Sequence, residues 1–134
     1  MKNNQKVCVI GLGYVGFPLA VLCSVKGYEV FGYDKDEEKL ARIEKGENIV
    51  EEKYLEEMIP KAKINIIREE GEMKDCDIFI IAVPTPVDEK YYPDLSFVIS
   101  ASETVAKNTK QGSLVIVEST VNPGVCDEFV KPIF

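Results

Sequence analysis

"VCVIGLGYVGFPLA", residues 7–20, decides the fold. Its first four residues are apolar and mostly β-branched, as in a strand covered on both faces. "GLGYVG" then sets glycines at 11, 13 and 16, and an apolar stretch with helical spacing follows. A strand, a tight turn and a helix in immediate succession leave the first N–H groups of that helix unpaired, at the positive end of its dipole. Such a turn receives phosphate. In G-x-G-x-x-G, Gly11 makes the turn, Gly13 admits a pyrophosphate close to the backbone, and Gly16 lets helix pack on strand; Tyr14 and Val15 lie between them in the same loop.

The rest of the chain repeats the rhythm of apolar run and amphipathic stretch. "KVCVI" (6–10) is the first strand, and its helix runs from about Tyr14 to Lys26, stopped by Gly27. "EVFGYD" (29–34) is the second, followed by a helix that Asp36 caps, passing Leu40 and Ile43 to Gly46. A helical stretch around "KYLEEMI" leads to the third strand, "KINIIR". "DIFIIAVPTP" is a fourth, ended by prolines, and Asp94 or Ser96 caps a helix over residues 97–108. "SLVIVEST" is a fifth, and a last helix is expected from near Pro123 towards Lys131. Right-handed crossovers between such units give an α/β, Rossmann-type doubly wound parallel sheet of order 3-2-1-4-5. No sixth strand follows "VKPIF", so the 134 residues read as a fragment of something longer.

An acidic residue, Asp34, ends the second strand 21 positions after Gly13, where a carboxylate accepts from an adenosine ribose hydroxyl. The spacing therefore points to a dinucleotide. A 2′-phosphate at Asp34 would meet a carboxylate with no arginine expected beside it, so NAD is expected over NADP. Asp34 also suits a cap for the next turn, and Lys39 suits either the adenosine phosphates or a solvated helix face. Ligands lie outside the carboxyl ends of the strands in such sheets, which puts Pro84 and Thr85 beside the nicotinamide and brings Glu118, Ser119 and Thr120 to the same place. Capping of the last helix is the other use for Ser119 and Thr120, with Asn122 competing.

Composition narrows the function further. Sixteen basic against 23 acidic residues give a net charge of −7 without a basic block, which speaks against nucleic acid. The apolar runs are too short to cross a membrane, and "MKNNQK" has no secretion-signal pattern; a cytoplasmic protein is expected. There is no histidine, and Cys8, Cys23, Cys76 and Cys126 are scattered, so no metal site is expected and the cysteines read as structural.

"GLGYVGFPLA", "YDKDEEKL", "VPTPVDEKYYPDLSFV" and "ESTVNPG", agreeing in order and spacing, resemble the N-terminal NAD-binding domain of the nucleotide-sugar 6-dehydrogenases, which include UDP-glucose and UDP-N-acetylmannosamine dehydrogenases. The "STVNPG" form is more similar to the N-acetylhexosamine branch. The resemblance implies oxidation of a UDP-sugar C6 hydroxyl to the uronic acid with two NAD, through a cysteine thioester. It carries over the glycine loop, Asp34, Lys39, Pro84–Thr85 and Glu118–Thr120, with Thr120 at the reaction centre. The family's catalytic cysteine stands in G-x-C-x-P, and Cys126 in "GVCDEF" does not match it; the isolated chain is expected to bind NAD without turnover. "EEKYLEE" replaces the family's frequent "EPGL", a departure expected to lie away from the cofactor. The alternative is a free-standing NAD-binding or sensing module. The fifth strand's open edge leads to an expectation of self-association, most simply as a homodimer.

Overall fold

The computed structural model describes residues 3–134. Five strands form one sheet: β1 (Lys6–Ile10), β2 (Glu29–Tyr33), β3 (Ile64–Ile67), β4 (Ile78–Ile81) and β5 (Leu114–Val117). All pairings are parallel and the spatial order is β3-β2-β1-β4-β5, as the sequence predicts. The helices are α1 (Gly16–Val25), α2 (Glu37–Glu44), α3 (Lys53–Met58) and α4 (Ser96–Asn108).

Period-two alternation in β1 divides the interior in two. Val7 and Val9 point into a cluster with Phe17, Ala20 and Val21 of α1, Leu40 of α2 and Leu55 of α3. Cys8 and Ile10 point the other way, into a cluster with Phe79 and Ile81 of β4 and Ala101 and Val105 of α4. Because both faces are covered, β1 carries an unbroken apolar run rather than alternating with polar residues.

Local chemistry sets the helix ends. Asp36 accepts from the Lys39 N–H at 3.1 Å, the cap its sequence position predicts. Gly46 closes α2 with a positive φ, 79°. Its N–H reaches the Ile43 carbonyl and the Glu47 N–H reaches back to Arg42, a Schellman ending. Neither expected cap of α4 holds that place: the N-cap is Leu95, which has no side chain able to cap, Ser96 is already the first helical residue, and Asp94 accepts from the Ser96 N–H at 2.9 Å just ahead of it. The expected last helix is only partly realised. Residues Cys126–Val130 make one wide π-type turn that tightens into a 3-10 turn over Lys131–Ile133. Gly124, at φ 96°, keeps the chain out of helical conformation after Pro123, so that helix starts late and stays short.

All four cysteines are free. Cys8 is a buried core residue, as its apolar surroundings in the sequence predict, while Cys23, expected in the core too, is only half-buried against the first cluster; Cys76 is buried and Cys126 exposed. Among the described residues no helix is long and apolar enough to cross a membrane.

Leu55 is fully buried and is what ties the short α3 to the first cluster. Leu55→Ala should lower unfolding stability by about 2–5 kcal/mol, the range for a leucine removed from a packed core. A urea titration followed by circular dichroism measures it.

Candidate cofactor site

The register of the sheet builds the site. Ile10, Tyr33, Ile81 and Val117 lie side by side as the last residues of four strands. The residues that follow them, Gly11, Asp34, Ala82 and Glu118, therefore emerge at one level, and all four line a groove of about 650 Å³. The ladders continue one step beyond the strands. The Gly11 N–H donates to the Tyr33 carbonyl at 2.9 Å, and the Ala82 N–H to the Ile10 carbonyl at 2.8 Å.

The glycines of the loop fit their assigned places. Gly11 has φ 92°, and a Cβ there would stand 2.5 Å from the Ala82 carbonyl oxygen. A Cβ on Gly16 would collide with the Gly11 carbonyl. Over Gly13 there is open space, with nothing within 4 Å. Among the described residues no acceptor meets the N–H groups of Gly13, Tyr14 or Val15. Open space above unpaired amides, at the head of a ten-residue helix, is a cradle an anion fits.

Asp34 is held from three sides. Its Oδ2 accepts from the Leu12 N–H at 2.8 Å and from Lys39 Nζ at 3.1 Å, and its Oδ1 accepts from the Asp36 N–H at 2.9 Å. Burial alone would raise this carboxyl, but the Leu12 and Asp36 N–H bonds and the Lys39 ammonium outweigh it and hold Asp34 below the ordinary carboxylate range. Asp34 thus serves the next turn and also borders the groove, and Lys39, partly exposed, is not free but paired with it.

At the other end, Pro84, Thr85, Glu118, Ser119 and Thr120 line the same groove. The Ser119 hydroxyl donates to the Val83 carbonyl at 2.9 Å and so ties the ends of β4 and β5 together instead of capping the last helix. Asn122 contributes only its backbone carbonyl there, to the Val125 N–H. Glu118 and Thr120 are exposed to the groove. A second cavity, of about 360 Å³, opens beside Asp34 towards α4, lined by Ile10, Pro84, Phe97 and Ala101. At its base the Tyr33 and Thr104 hydroxyls both donate to Glu70, at 3.3 and 3.2 Å.

Of the residues singled out in the sequence, all but Gly16 line the larger groove, and Gly16 underlies it. One expectation needs correction. Arg42 also lines the groove that Asp34 borders, where no arginine was expected; it is paired with Glu47 at 2.7 Å. Ile49 and Val50 form part of the groove wall, while residues 51–57, the departed "EEKYLEE" segment, do not line it. Arg42 reaches the groove one helical turn beyond Lys39 on α2, whereas Ile49 and Val50 reach it because the Schellman ending of α2 folds the chain back, which only the tertiary structure shows.

Known proteins resemble this chain in sequence and in fold along nearly its whole length. The description "UDP-glucose/GDP-mannose dehydrogenase family, NAD binding domain" matches residues 5–134. A UDP-N-acetyl-D-glucosamine 6-dehydrogenase of Pseudomonas aeruginosa is 38% identical over 131 residues, covering 98% of this chain and 31% of that protein. Among solved structures, a UDP-D-ManNAc dehydrogenase of Pyrococcus horikoshii superposes with a TM-score of 0.87 at 34% identity, over 96% of this chain and 32% of its own. A UDP-glucose dehydrogenase of Pyrobaculum islandicum does so at 0.89 and 30% identity, over 98% and 32%. The chain spans about a third of the length of the relatives it matches.

Because Asp34 titrates lower in the folded chain than in the unfolded one, its contribution to stability is fully present above the unfolded carboxylate value near pH ~3.9 and is lost as pH falls through its depressed folded value. Asp34→Asn should therefore show a smaller drop in melting temperature between pH 5 and pH 2.5 than the unaltered chain does. Thermal melts across that range test the sign.

Proposed function

The chain belongs to the UDP-glucose/GDP-mannose dehydrogenase family as an NAD-binding domain, and from that premise we propose how its residues divide the cofactor and which reaction they serve. The N–H groups of Gly13, Tyr14 and Val15 receive the diphosphate, with Gly11 and Gly16 keeping the loop close to the sheet. Asp34 accepts from the adenosine ribose, and Lys39 steadies that carboxylate in its charged form. The adenine ring enters the smaller, apolar-walled cavity between Pro84 and Phe97. Pro84, Thr85, Glu118 and Thr120 surround the nicotinamide end.

Bound there, NAD supplies the acceptor for hydride from the sugar. Thr120 is the one residue of this chain proposed to act at the reaction centre, its hydroxyl exposed to the groove and able to hold a water or a substrate oxygen. Ser119 is a positioning residue, fixing the β5 end against Val83. The substrate is a UDP-sugar oxidised at its C6 hydroxyl to the uronic acid, with a UDP-N-acetylhexosamine such as UDP-N-acetylmannosamine favoured over UDP-glucose. Support for the N-acetylated class comes from "STVNPG" and from the names of the P. aeruginosa and P. horikoshii relatives. Residues 1–134 constitute the NAD-binding domain, and the sugar-binding domains and catalytic thiol belong to sequence outside it. The chain alone then binds NAD without turnover. Four free cysteines suit a cytoplasmic setting. The outer edge of β5, paired only on its β4 side, suits association into a homodimer.

What carries the proposal is the meeting, in one groove, of unpaired loop amides and the Asp34 carboxylate with Thr85 and Thr120. Titration calorimetry with NAD should give a clear binding isotherm, and Asp34→Asn should weaken it by about 1–3 kcal/mol, the cost of an unmet hydrogen bond. With NAD and UDP-N-acetylmannosamine together, absorbance of reduced cofactor should stay flat. Sustained reduction would show that the 134 residues suffice for catalysis.

A further inference from the structure

Two cations line the larger groove, Lys39 and Arg42, three residues apart and so neighbours on one face of α2. Neither is free. Lys39 Nζ is 3.1 Å from Asp34 Oδ2, and Arg42 Nε is 2.7 Å from Glu47 Oε2. A lysine and an arginine beside the adenosine ribose are the donor set that a 2′-phosphate needs, since guanidinium matches phosphate with paired N–H groups. The groove thus contains the parts of a 2′-phosphate subsite with each cation already matched to its own carboxylate.

The second pair is built by the fold and not by chance contact of long side chains. Gly46, in the left-handed region, turns the chain so that the Glu47 N–H donates to the Arg42 carbonyl at 3.1 Å. The backbone of Glu47 is thereby fixed over Arg42, and its carboxylate meets the guanidinium from that anchor. Glu38, also lining the groove, adds negative charge against an incoming phosphate.

We propose that Glu47 is a specificity-determining residue, which by holding Arg42 keeps a ready-made 2′-phosphate subsite closed, so that the choice of NAD over NADP rests on two ion pairs and not on Asp34 alone. It rests on the placement of the ribose at Asp34 given above. Asp34 excludes the 2′-phosphate by direct repulsion, whereas Glu47 withholds the arginine that would otherwise offset that repulsion.

Calorimetric titration with NAD and NADP, and with AMP and 2′-phosphorylated adenosine as minimal probes, tests this on the chain, Glu47→Gln, Asp34→Asn, the double variant, and the double variant carrying Arg42→Ala. Circular dichroism confirms that each is folded. Glu47→Gln should leave NAD affinity within about twofold, since an exposed ion pair contributes little by itself. The double variant should bind NADP about three- to fivefold more tightly than Asp34→Asn, the most that an exposed ion pair can withhold from a phosphate. Arg42→Ala should abolish that gain, and added salt should reduce it. A double variant no better than Asp34→Asn would overturn the proposal, as would a gain that survives Arg42→Ala and so reflects mere removal of negative charge. An unaltered chain that ignores NAD would overturn the placement of the ribose itself, and the role of Glu47 with it.

Discussion

The carboxylate at the tip of β2 grips the backbone of the loop that follows β1, residues 22 positions apart in sequence, through a 2.8 Å bond from the Leu12 N–H to Asp34. Leu12 is fully buried, so without that acceptor its amide would be stranded at a cost of about 1–3 kcal/mol. With the Leu12 amide turned inward to Asp34, the next amides, Gly13 to Val15, are left without an internal acceptor and available to a ligand. The other oxygen of Asp34 anchors the Asp36 N–H, and Asp36 in turn caps Lys39. One side chain therefore shapes the anion cradle, starts α2 and places the lysine that pairs with it.

The fold could be read from the sequence because each strand is a short apolar run and each helix carries its own punctuation. "KVCVI" and "IFII" cannot be one-sided strands, and two-sided burial requires helices on both faces. Gly27, Asp36 and Gly46 mark helix ends by local chemistry that needs no tertiary knowledge. The site was legible to the same depth: the ends of successive parallel strands must come level, so Gly11, Asp34, Pro84 and Glu118 were bound to share one groove. What the sequence concealed arises from chain reversal. Ile49 and Val50 reach the groove because the Schellman turn at Gly46 redirects the chain, and no period or motif records the direction in which such a turn leads. The last helix failed for the opposite reason, since Pro123 signals a start that Gly124 then delays.

An acidic chain that receives a diphosphate looks contradictory only if net charge is taken to act at a distance. At physiological ionic strength exposed charges are screened within about 8 Å, so the −7 of the whole chain counts for little inside the groove. Unpaired amides at the head of α1 and the ammonium of Lys39 set the local field. The same bookkeeping limits Asp34. A carboxylate offers about four acceptor directions; Leu12 and Lys39 occupy Oδ2, and Asp36 takes one place on Oδ1. One direction is left for a ribose hydroxyl, so two vicinal hydroxyls cannot both bond to this carboxylate unless Lys39 gives up its place. The pairing that holds Asp34 charged is for that reason the one a bound ribose competes with, because the Leu12 and Asp36 amides are fixed backbone and Lys39 is a flexible side chain.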